Sequence, residues 1–338
     1  MPLCLWLERE ASPVAHLFAG YEVDEEQQPV ARLYDYDVEA RLASVLALES
    51  RIPPDAISAR TLNTERVGNA VVISESGLLV TIGYLITEAE EVMVTTNDGR
   101  RIEAHPLGID QATGFGVMQA LEPLDLTPIP FGDSRKLKSE MALISAGAGG
   151  REHALSSHLL ARQPFAGSWE YYLEAALYVA PGHPHWNGAA LLGPDGSLVG
   201  VGSLHMQQQS ERGEVSTLNM FVPAELLPPI LDDLAHGRPA RPPRPWLGVI
   251  TAVVDGRVVI DSVSPGGPAA RAELRHGDVI HKIRGERVRD QAELYQRLWA
   301  LGPAGVVAPL TIQRERDVFD MEVRTADRTA MQKRRTLN

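Results

Sequence analysis

The sequence predicts a mainly β fold divided into at least two domains. Short apolar runs alternate with turn residues, and an Asn-Asp-Gly turn at 97–99 separates two β-rich runs. Helix signals are scarce before residue 223, and 338 residues are enough for two or three domains. These features indicate a β-barrel or a β-sandwich. The expected strands cover residues 44–49, 68–74, 77–81, 92–96, 101–105, 115–119 and 141–145.

Composition excludes several classes of protein. The hydrophobic share of 44% and the charged share of 22% are ordinary for a globular protein. A net charge of -12 argues against nucleic acid or an anionic membrane as a partner. The single cysteine excludes an internal disulfide and a cysteine zinc site, and no cofactor or metal is expected. Residues 1–11 lack the features of a signal peptide, so we expect a cytoplasmic location, or a periplasmic one if a leader has been removed.

Three segments lie outside the predicted domains. Residues 1–41 are rich in acidic side chains and are expected to form an N-terminal extension, ordered only where it docks. Residues 237–245 contain four prolines and predict a stiff, extended linker. Residues 326–338 form a basic tail, and we expect its Lys-Arg-Arg run at 333–335 to be disordered.

Several motifs between residues 42 and 236 follow one another in the order of a known protein family. The run GNAVVIS (68–74) resembles the family's GSGVIIS, and LVTIGYLI (79–86) resembles the strand ILTNNHVV that carries a catalytic histidine. DQATGFGVM (110–118) resembles DxxTDLALL, FGDS (131–134) resembles LGDS, and LNMFVP (218–223) resembles GFAIP. The family is that of the trypsin-like serine proteases of the HtrA type, found in bacteria. The resemblance implies a trypsin-like double β-barrel with a helix following residue 223.

The loop PGHPHWNGAALL (181–192) resembles the loop that carries the nucleophile in these proteases, which reads GNSGGPL. The hairpin that follows it, GPDGSLVGV (193–201), is intact. Asn187, however, stands at the serine position. Tyr84 stands at the histidine position and Gly114 at the aspartate position.

A serine protease needs a nucleophilic hydroxyl, an imidazole base and a carboxylate that orients the base. An amide is no nucleophile, a phenol with a pKa near ~10 is no base at neutral pH, and glycine has no carboxylate. The turn that presents the oxyanion donors is also altered, because His185 and Trp186 replace the family's Gly-Asn. The resemblance therefore predicts a degenerate triad. From size alone we expect Tyr84 and Trp186 to pack as a plug over the site.

Two other interpretations of the polar residues remain open. A misplaced alignment would leave a true triad nearby, for which Ser156, Ser157 and His158, or the histidines of the 181–192 loop, are the candidates. His183 and His185, with His205, could also be read as metal ligands. That spacing carries no further signature of a zinc site, so we favour a polar surface loop.

Residues 246–325 resemble a PDZ domain, an α+β fold built as a partly open β-barrel with two helices. WLGV (246–249) stands where this family binds a terminal carboxylate, and SPGGPAA (264–270) and GDVI (277–280) match two further motifs. A second helix is expected at 290–301, and strands at 308–313 and 319–323. The resemblance implies that the C-terminus of a ligand binds to backbone N–H groups while its peptide adds to the sheet edge. The peptide-binding residues it implies are Trp246, Leu247, Gly248, Val249, Gln291, Tyr295 and Leu298. The alternative is a groove occupied by another part of the same polypeptide.

These features together predict a catalytically inactive HtrA-like pseudoprotease rather than an enzyme. It would act as a scaffold, adaptor or regulator that binds protein or peptide C-termini through the PDZ domain. The first alternative is an active serine endopeptidase with an unusual catalytic set. The second is a structural subunit of a larger complex, docked through the acidic N-terminal segment. Relatives of this type often form trimers, so a homo-oligomer or a partner subunit is a further expectation.

Overall fold

The computed structural model describes residues 22–209, 213 and 215–333. It contains two closed six-stranded β-barrels followed by a third, mainly β domain. The mainly β fold class predicted from the sequence is confirmed. No helix in the described ranges is long and apolar enough to cross a membrane.

The first barrel is built from the strands that the turn signals delimit. Strands β1–β6 are Val45–Arg51, Glu65–Val72, Leu78–Ile82, Glu91–Thr95, Arg101–Ile109 and Phe115–Ala120. Their order in the barrel is β1-β2-β3-β6-β5-β4, and pairing of β1 with β4 closes it. Gly99 has a φ of +88° in the turn between β4 and β5, which is why the Asp-Gly signal marks that hairpin correctly.

The second barrel has the order β10-β11-β12-β9-β8-β7. Its strands β7–β12 are Ala142–Ala146, Ala154–Gly167, Tyr171–Ala180, Ala190–Leu192, Leu198–Gln209 and Val215–Pro223. The long β8–β9 hairpin was not predicted from the sequence. Arg162, Gln163 and Pro164 form a polar, exposed stretch within β8, which interrupts the apolar alternation that signals a strand. The tip of this hairpin, residues 168–170, projects towards the third domain.

The third domain is a twisted sheet of order β13-β14-β15-β17-β18, with β16 paired to β15. Strands β13–β18 are Val249–Val254, Arg257–Val263, Val279–Ile283, Glu286–Arg287, Val307–Arg314 and Asp317–Arg324. Its helices are α4, Pro268–Arg271, and α5, Gln291–Trp299. Asp290 caps α5 by accepting a hydrogen bond from the N–H of Glu293 at 2.8 Å, which explains why this helix begins where the sequence suggested.

Three short helices precede the third domain: α1, Val38–Ala43, α2, Ala59–Leu62, and α3, Pro228–Ala235. The helix expected after residue 223 begins as a 3₁₀ turn, Ala224–Leu226, and continues as α3. In α1, Val38 and Leu42 are buried in the core of the barrels. The acidic segment thus docks through α1, while the extension's first 21 residues lie outside the described part of the protein.

The linker contacts both of the domains that flank it, and the tail contacts the loop after β3 of the first barrel. Arg241 lies 3.6 Å from Asp110 of the first barrel, and the Arg244 guanidinium lies 4.1 Å from the ring centre of Trp299 on α5. At the start of the Lys-Arg-Arg run, the Lys333 N–H donates to Glu88 Oε1 at 2.7 Å, and disorder of the run stays a prediction. The rest of the Lys-Arg-Arg run lies outside the described residues.

Candidate functional site

The three positions assigned to the triad meet between the barrels. Tyr84 lies in a 3₁₀ turn directly after β3, and Asn187 lies in the loop between β9 and β10. The Tyr84 hydroxyl is 3.1 Å from Asn187 Oδ1 and 2.9 Å from the carbonyl oxygen of Ser203, so two acceptors share its one proton. The Asn187 Nδ2 group donates to the Val67 carbonyl at 3.3 Å. Burial raises the pKa of Tyr84 above its ordinary value. Tyr84 and Asn187 therefore bond to each other and to backbone carbonyls, and neither side chain can act as a general base.

Gly114 completes this set of positions through its backbone. The N–H of Gly83, next to Tyr84, donates to the Gly114 carbonyl at 2.6 Å. Gly114 has a φ of +85°, and a Cβ there would lie 3.2 Å from the Tyr171 hydroxyl oxygen. Asp110, four residues earlier, directs its carboxylate to Thr113 Oγ1 at 2.8 Å. The loop therefore places no carboxylate at the position of a triad acid.

The turn before Asn187 is held in a form that uses one of the oxyanion donors. In serine proteases these donors are the N–H groups of the nucleophile and of the residue two positions earlier. Here the earlier N–H, that of His185, donates to His183 Nδ1 at 3.0 Å. His183 Nε2 lies 2.9 Å from the His153 carbonyl oxygen, which fixes the neutral tautomer with its proton on Nε2. Burial lowers the pKa of His183 to about 3.

Asn69 fixes this turn from the first barrel, a role that the sequence interpretation missed. Its Nδ2 group donates to the carbonyls of His185 and Asn187, both at 2.9 Å, and its Oδ1 accepts from the N–H of Ala148 at 2.8 Å. Its own N–H donates to the Asn187 carbonyl at 2.7 Å. The available signal was the replacement of the family's serine in GSGVIIS by this asparagine.

Trp186 lies in the same loop as Asn187, and its packing with Tyr84 as a plug over the site stays a prediction. Its ring packs against the imidazole of His205 with the ring centres 5.0 Å apart. A side-chain hydrogen bond from Trp186 offsets part of the effect of burial on the pKa of Tyr84. The Tyr84 hydroxyl also reaches this loop at Asn187, whose Oδ1 is one of its two hydrogen-bond acceptors.

The other candidates for a triad or a metal site are engaged elsewhere. The buried Ser157 hydroxyl oxygen lies 3.0 Å from Ser145 Oγ and 3.1 Å from the Leu155 carbonyl oxygen, so its one hydrogen has an acceptor at either place. His158 faces Glu140, with Nε2 3.7 Å from the carboxylate. Across residues 22–209, 213 and 215–333, no group of three or more His, Cys, Asp or Glu residues is arranged to hold a metal ion.

The carboxylate-binding loop of the third domain holds a carboxylate of the same polypeptide. Glu170, at the tip of the β8–β9 hairpin, accepts three hydrogen bonds from successive backbone N–H groups. Its Oε2 accepts from Leu247 at 2.9 Å, and its Oε1 accepts from Gly248 at 2.7 Å and Val249 at 3.1 Å. The residue is 8% exposed, and burial raises the pKa of Glu170 to about 6 against the opposing effect of the three donors. The three N–H donors favour the ionised form of the carboxyl group.

The remaining contacts of the hairpin tip follow the sheet edge. The Thr251 N–H on β13 donates to the Ser168 carbonyl at 3.0 Å. The Tyr295 hydroxyl on α5 donates to the Gly167 carbonyl at 2.6 Å. Arg328 donates to the Trp169 carbonyl at 3.3 Å, which ties the tail to the same tip. One backbone hydrogen bond to the edge strand β13 thus accompanies the bound carboxylate.

The seven residues predicted for peptide binding divide into three groups. Leu247, Gly248 and Val249 supply the N–H donors to Glu170, while Tyr295 contacts the hairpin tip. The Gln291 amide donates to the Thr251 carbonyl at 2.7 Å, within its own domain. Leu298 is buried in the domain core, and the Trp246 ring lies over Gly248. In this structure Glu170 occupies the carboxylate-binding loop, and binding of a free peptide stays a prediction.

Comparison with known families gives two matches along the sequence. Residues 68–201 match the family model of a trypsin-like peptidase domain, and residues 245–325 match that of a PDZ domain. The predicted boundaries at residues 42, 236 and 326 are not tested by these matches and stay predictions.

Curated relatives include proteases of the HtrA and DegP type. One, from Halomonas elongata, is named a probable periplasmic serine endoprotease DegP-like and is 25% identical over 76% of this chain and 55% of its own length. Another, from Lactobacillus helveticus, is named a serine protease Do-like HtrA and is 26% identical over 78% of this chain and 69% of its own length. The chain thus spans about half the length of the DegP-like relatives it matches. Their names give no support to a cytoplasmic location.

Solved structures agree with this fold. The HtrA-type protease AlgW with a decapeptide has a TM-score of 0.52 at 19% identity, covering 86% of this chain and 98% of that one. A serine endoprotease from Yersinia pestis has a TM-score of 0.51 at 20% identity, covering 86% of this chain and 98% of that one. With the two family matches in this order, the protein has a trypsin-like peptidase domain followed by a C-terminal PDZ domain, an arrangement similar to that of the HtrA-type proteases.

Proposed function

We propose that this protein is a catalytically inactive HtrA-type pseudoprotease that works as a scaffold or regulator through its PDZ domain. The hydrogen-bonded pair of Tyr84 and Asn187 supports this function, because it occupies the positions where a base and a nucleophile would act. The His185 N–H, already bonded to His183, removes one donor to an oxyanion. Removing one such donor costs an active protease about 10²–10³ in kcat.

The ligand class follows from the nest of N–H groups at Leu247, Gly248 and Val249. Three convergent donors suit a carboxylate, and the exposed end of a polypeptide provides one together with a strand that can pair with β13. The proposed ligands are therefore free C-termini of proteins or peptides. A homo-oligomer or a partner subunit is compatible with this function and is proposed alongside it.

The alternative function is that of an active serine endopeptidase, which is what the curated relatives are named. A fluorophosphonate probe and an unfolded casein substrate, applied to the wild type and to Asn187→Ser, separate the two. We expect no labelled serine and no cleavage by the wild type, with intact mass as the readout. A single labelled serine in the wild type would refute the pseudoprotease proposal, and the modified peptide would identify the nucleophile.

The third function, a structural subunit, is separated by competition. A free C-terminal peptide displaces a partner held in the PDZ groove but leaves a partner held by the acidic N-terminal segment in place. The location also stays a prediction: cytoplasmic from the sequence, periplasmic by analogy with the relatives' names. Fractionation of cells that make the native gene product distinguishes the two.

A further inference from the structure

The hairpin tip, residues 168–170, reproduces two features expected of a bound C-terminal peptide. A carboxylate lies in the nest formed by residues 247–249, and a backbone carbonyl beside it pairs with β13 through the Thr251 N–H. Here, however, the carboxylate is that of the Glu170 side chain, and the strand is part of the trypsin-like domain. The contact joins residues separated by 77 positions in the sequence.

The two ligands exclude each other, because each N–H group of the nest has one proton to donate. All three donate to Glu170, so no donor in the nest is left for an incoming carboxylate. The backbone pairing at Thr251 and the hydroxyl of Tyr295 are engaged by the same tip. A peptide can enter only after the tip has left.

We propose that Glu170 is an internal ligand that keeps the PDZ groove closed, and that the free C-terminus of a peptide or protein binds by displacing the hairpin tip. This inference rests on the proposed peptide-binding function. The consequence is regulatory, because binding of a C-terminus and the contact between Glu170 and the PDZ domain exclude each other. The apparent affinity for any C-terminus is then reduced by the fraction of molecules in which the tip occupies the groove.

Two features of the tip are consistent with a contact that can open. Glu170 has a φ of +60°, in the left-handed region that non-glycine residues rarely adopt. Its carboxylate is also buried, and desolvation of a charge opposes the gain from the three N–H donors. Arg328, the charged group that offsets this burial electrostatically, lies in the last described segment of the protein.

The first test measures the contact without any peptide. Full-length wild type is compared with Glu170→Ala and with the isosteric Glu170→Gln, which replaces one acceptor oxygen by a donor. Glu174→Gln is the matched control, since Glu174 lies exposed on β9 and loses the same charge. Amide hydrogen exchange at Leu247, Gly248 and Val249 is expected to be at least about tenfold faster in both Glu170 variants than in the wild type and the control. Equal exchange in all four proteins would overturn the internal-ligand proposal.

The second test measures binding to random decapeptides immobilised through their N-termini, with free or amidated C-termini. We expect both Glu170 variants to bind free-acid peptides at least about tenfold more tightly than the wild type and Glu174→Gln, and none to bind the amides. Equal, tight binding by wild type and variants would overturn displacement and leave the peptide-binding function intact. Faster exchange without binding by any protein would instead refute peptide binding, and Glu170 would be a permanent link between the domains.

Discussion

Substitution of His183 by glutamine tests whether a neutral, buried imidazole holds the turn before Asn187. His183 is fully buried, with Nδ1 accepting from the His185 N–H and Nε2 facing the His153 carbonyl. Protonation would place a hydrogen on Nδ1, which now accepts from the His185 N–H, so two donors would face each other. The folded protein therefore resists protonation of this ring, whereas the unfolded protein does not.

The expected loss of folding stability on acidification follows from the pKa of His183 in the unfolded and in the folded protein. The pKa of His183 falls from an ordinary 6.5 to about 3 in the folded protein. Because the unfolded state binds the extra proton, the stability associated with this group is complete above pH 6.5 and is lost as the pH falls towards 3. Each pH unit in this window costs about 1.4 kcal/mol, so the loss between pH 7.5 and pH 5 is about 2 kcal/mol.

Urea unfolding of wild type and His183→Gln at pH 7.5 and at pH 5 measures this loss. The variant is expected to be less stable at pH 7.5, because it disturbs two buried hydrogen bonds, but to lose about 2 kcal/mol less than the wild type on acidification. An imidazole signal of His183 that titrates near pH 6.5 in the folded protein would refute the reasoning. So would identical losses of stability in the two proteins.

Two further predictions concern the same site. The triple variant Tyr84→His, Gly114→Asp and Asn187→Ser restores the three side chains of the triad, and we expect it to leave casein uncleaved. The reason is that the His185 N–H stays bonded to His183, and a Cβ at residue 114 meets the Tyr171 hydroxyl. Cleavage of casein would show that the turn rearranges freely. Asn69→Ala is expected to lower the free energy of unfolding by about 3 kcal/mol, because it removes three side-chain hydrogen bonds, including the one that satisfies the buried Ala148 N–H. A change below about 1 kcal/mol in urea unfolding would contradict that role.

Much of the fold could be read from local sequence patterns. Strand alternation and the Asp-Gly turn located β1–β6 closely, and Asp290 marked the start of α5. The β8–β9 hairpin escaped detection because the polar residues within β8 interrupt the two-residue period on which strand recognition depends. The resemblance to the protease family, rather than strand patterns, assigned Tyr84, Gly114 and Asn187 to one site. In the structure Tyr84 contacts Asn187, and Gly114 bonds to Gly83, the neighbour of Tyr84.

The sequence by itself determined the order of the domains and the chemical groups at the positions assigned to the triad. Both follow from short motifs, each of which lies within one continuous stretch of sequence. The sequence could not establish that Asn69 and His183 lock the turn, or that Glu170 fills the PDZ groove. Those contacts join segments 30 to 118 residues apart, and none of them leaves a periodic or motif-like trace. The Glu170 carboxylate reaches the three N–H groups because the second barrel packs against the PDZ domain, and that distance is set by tertiary structure alone.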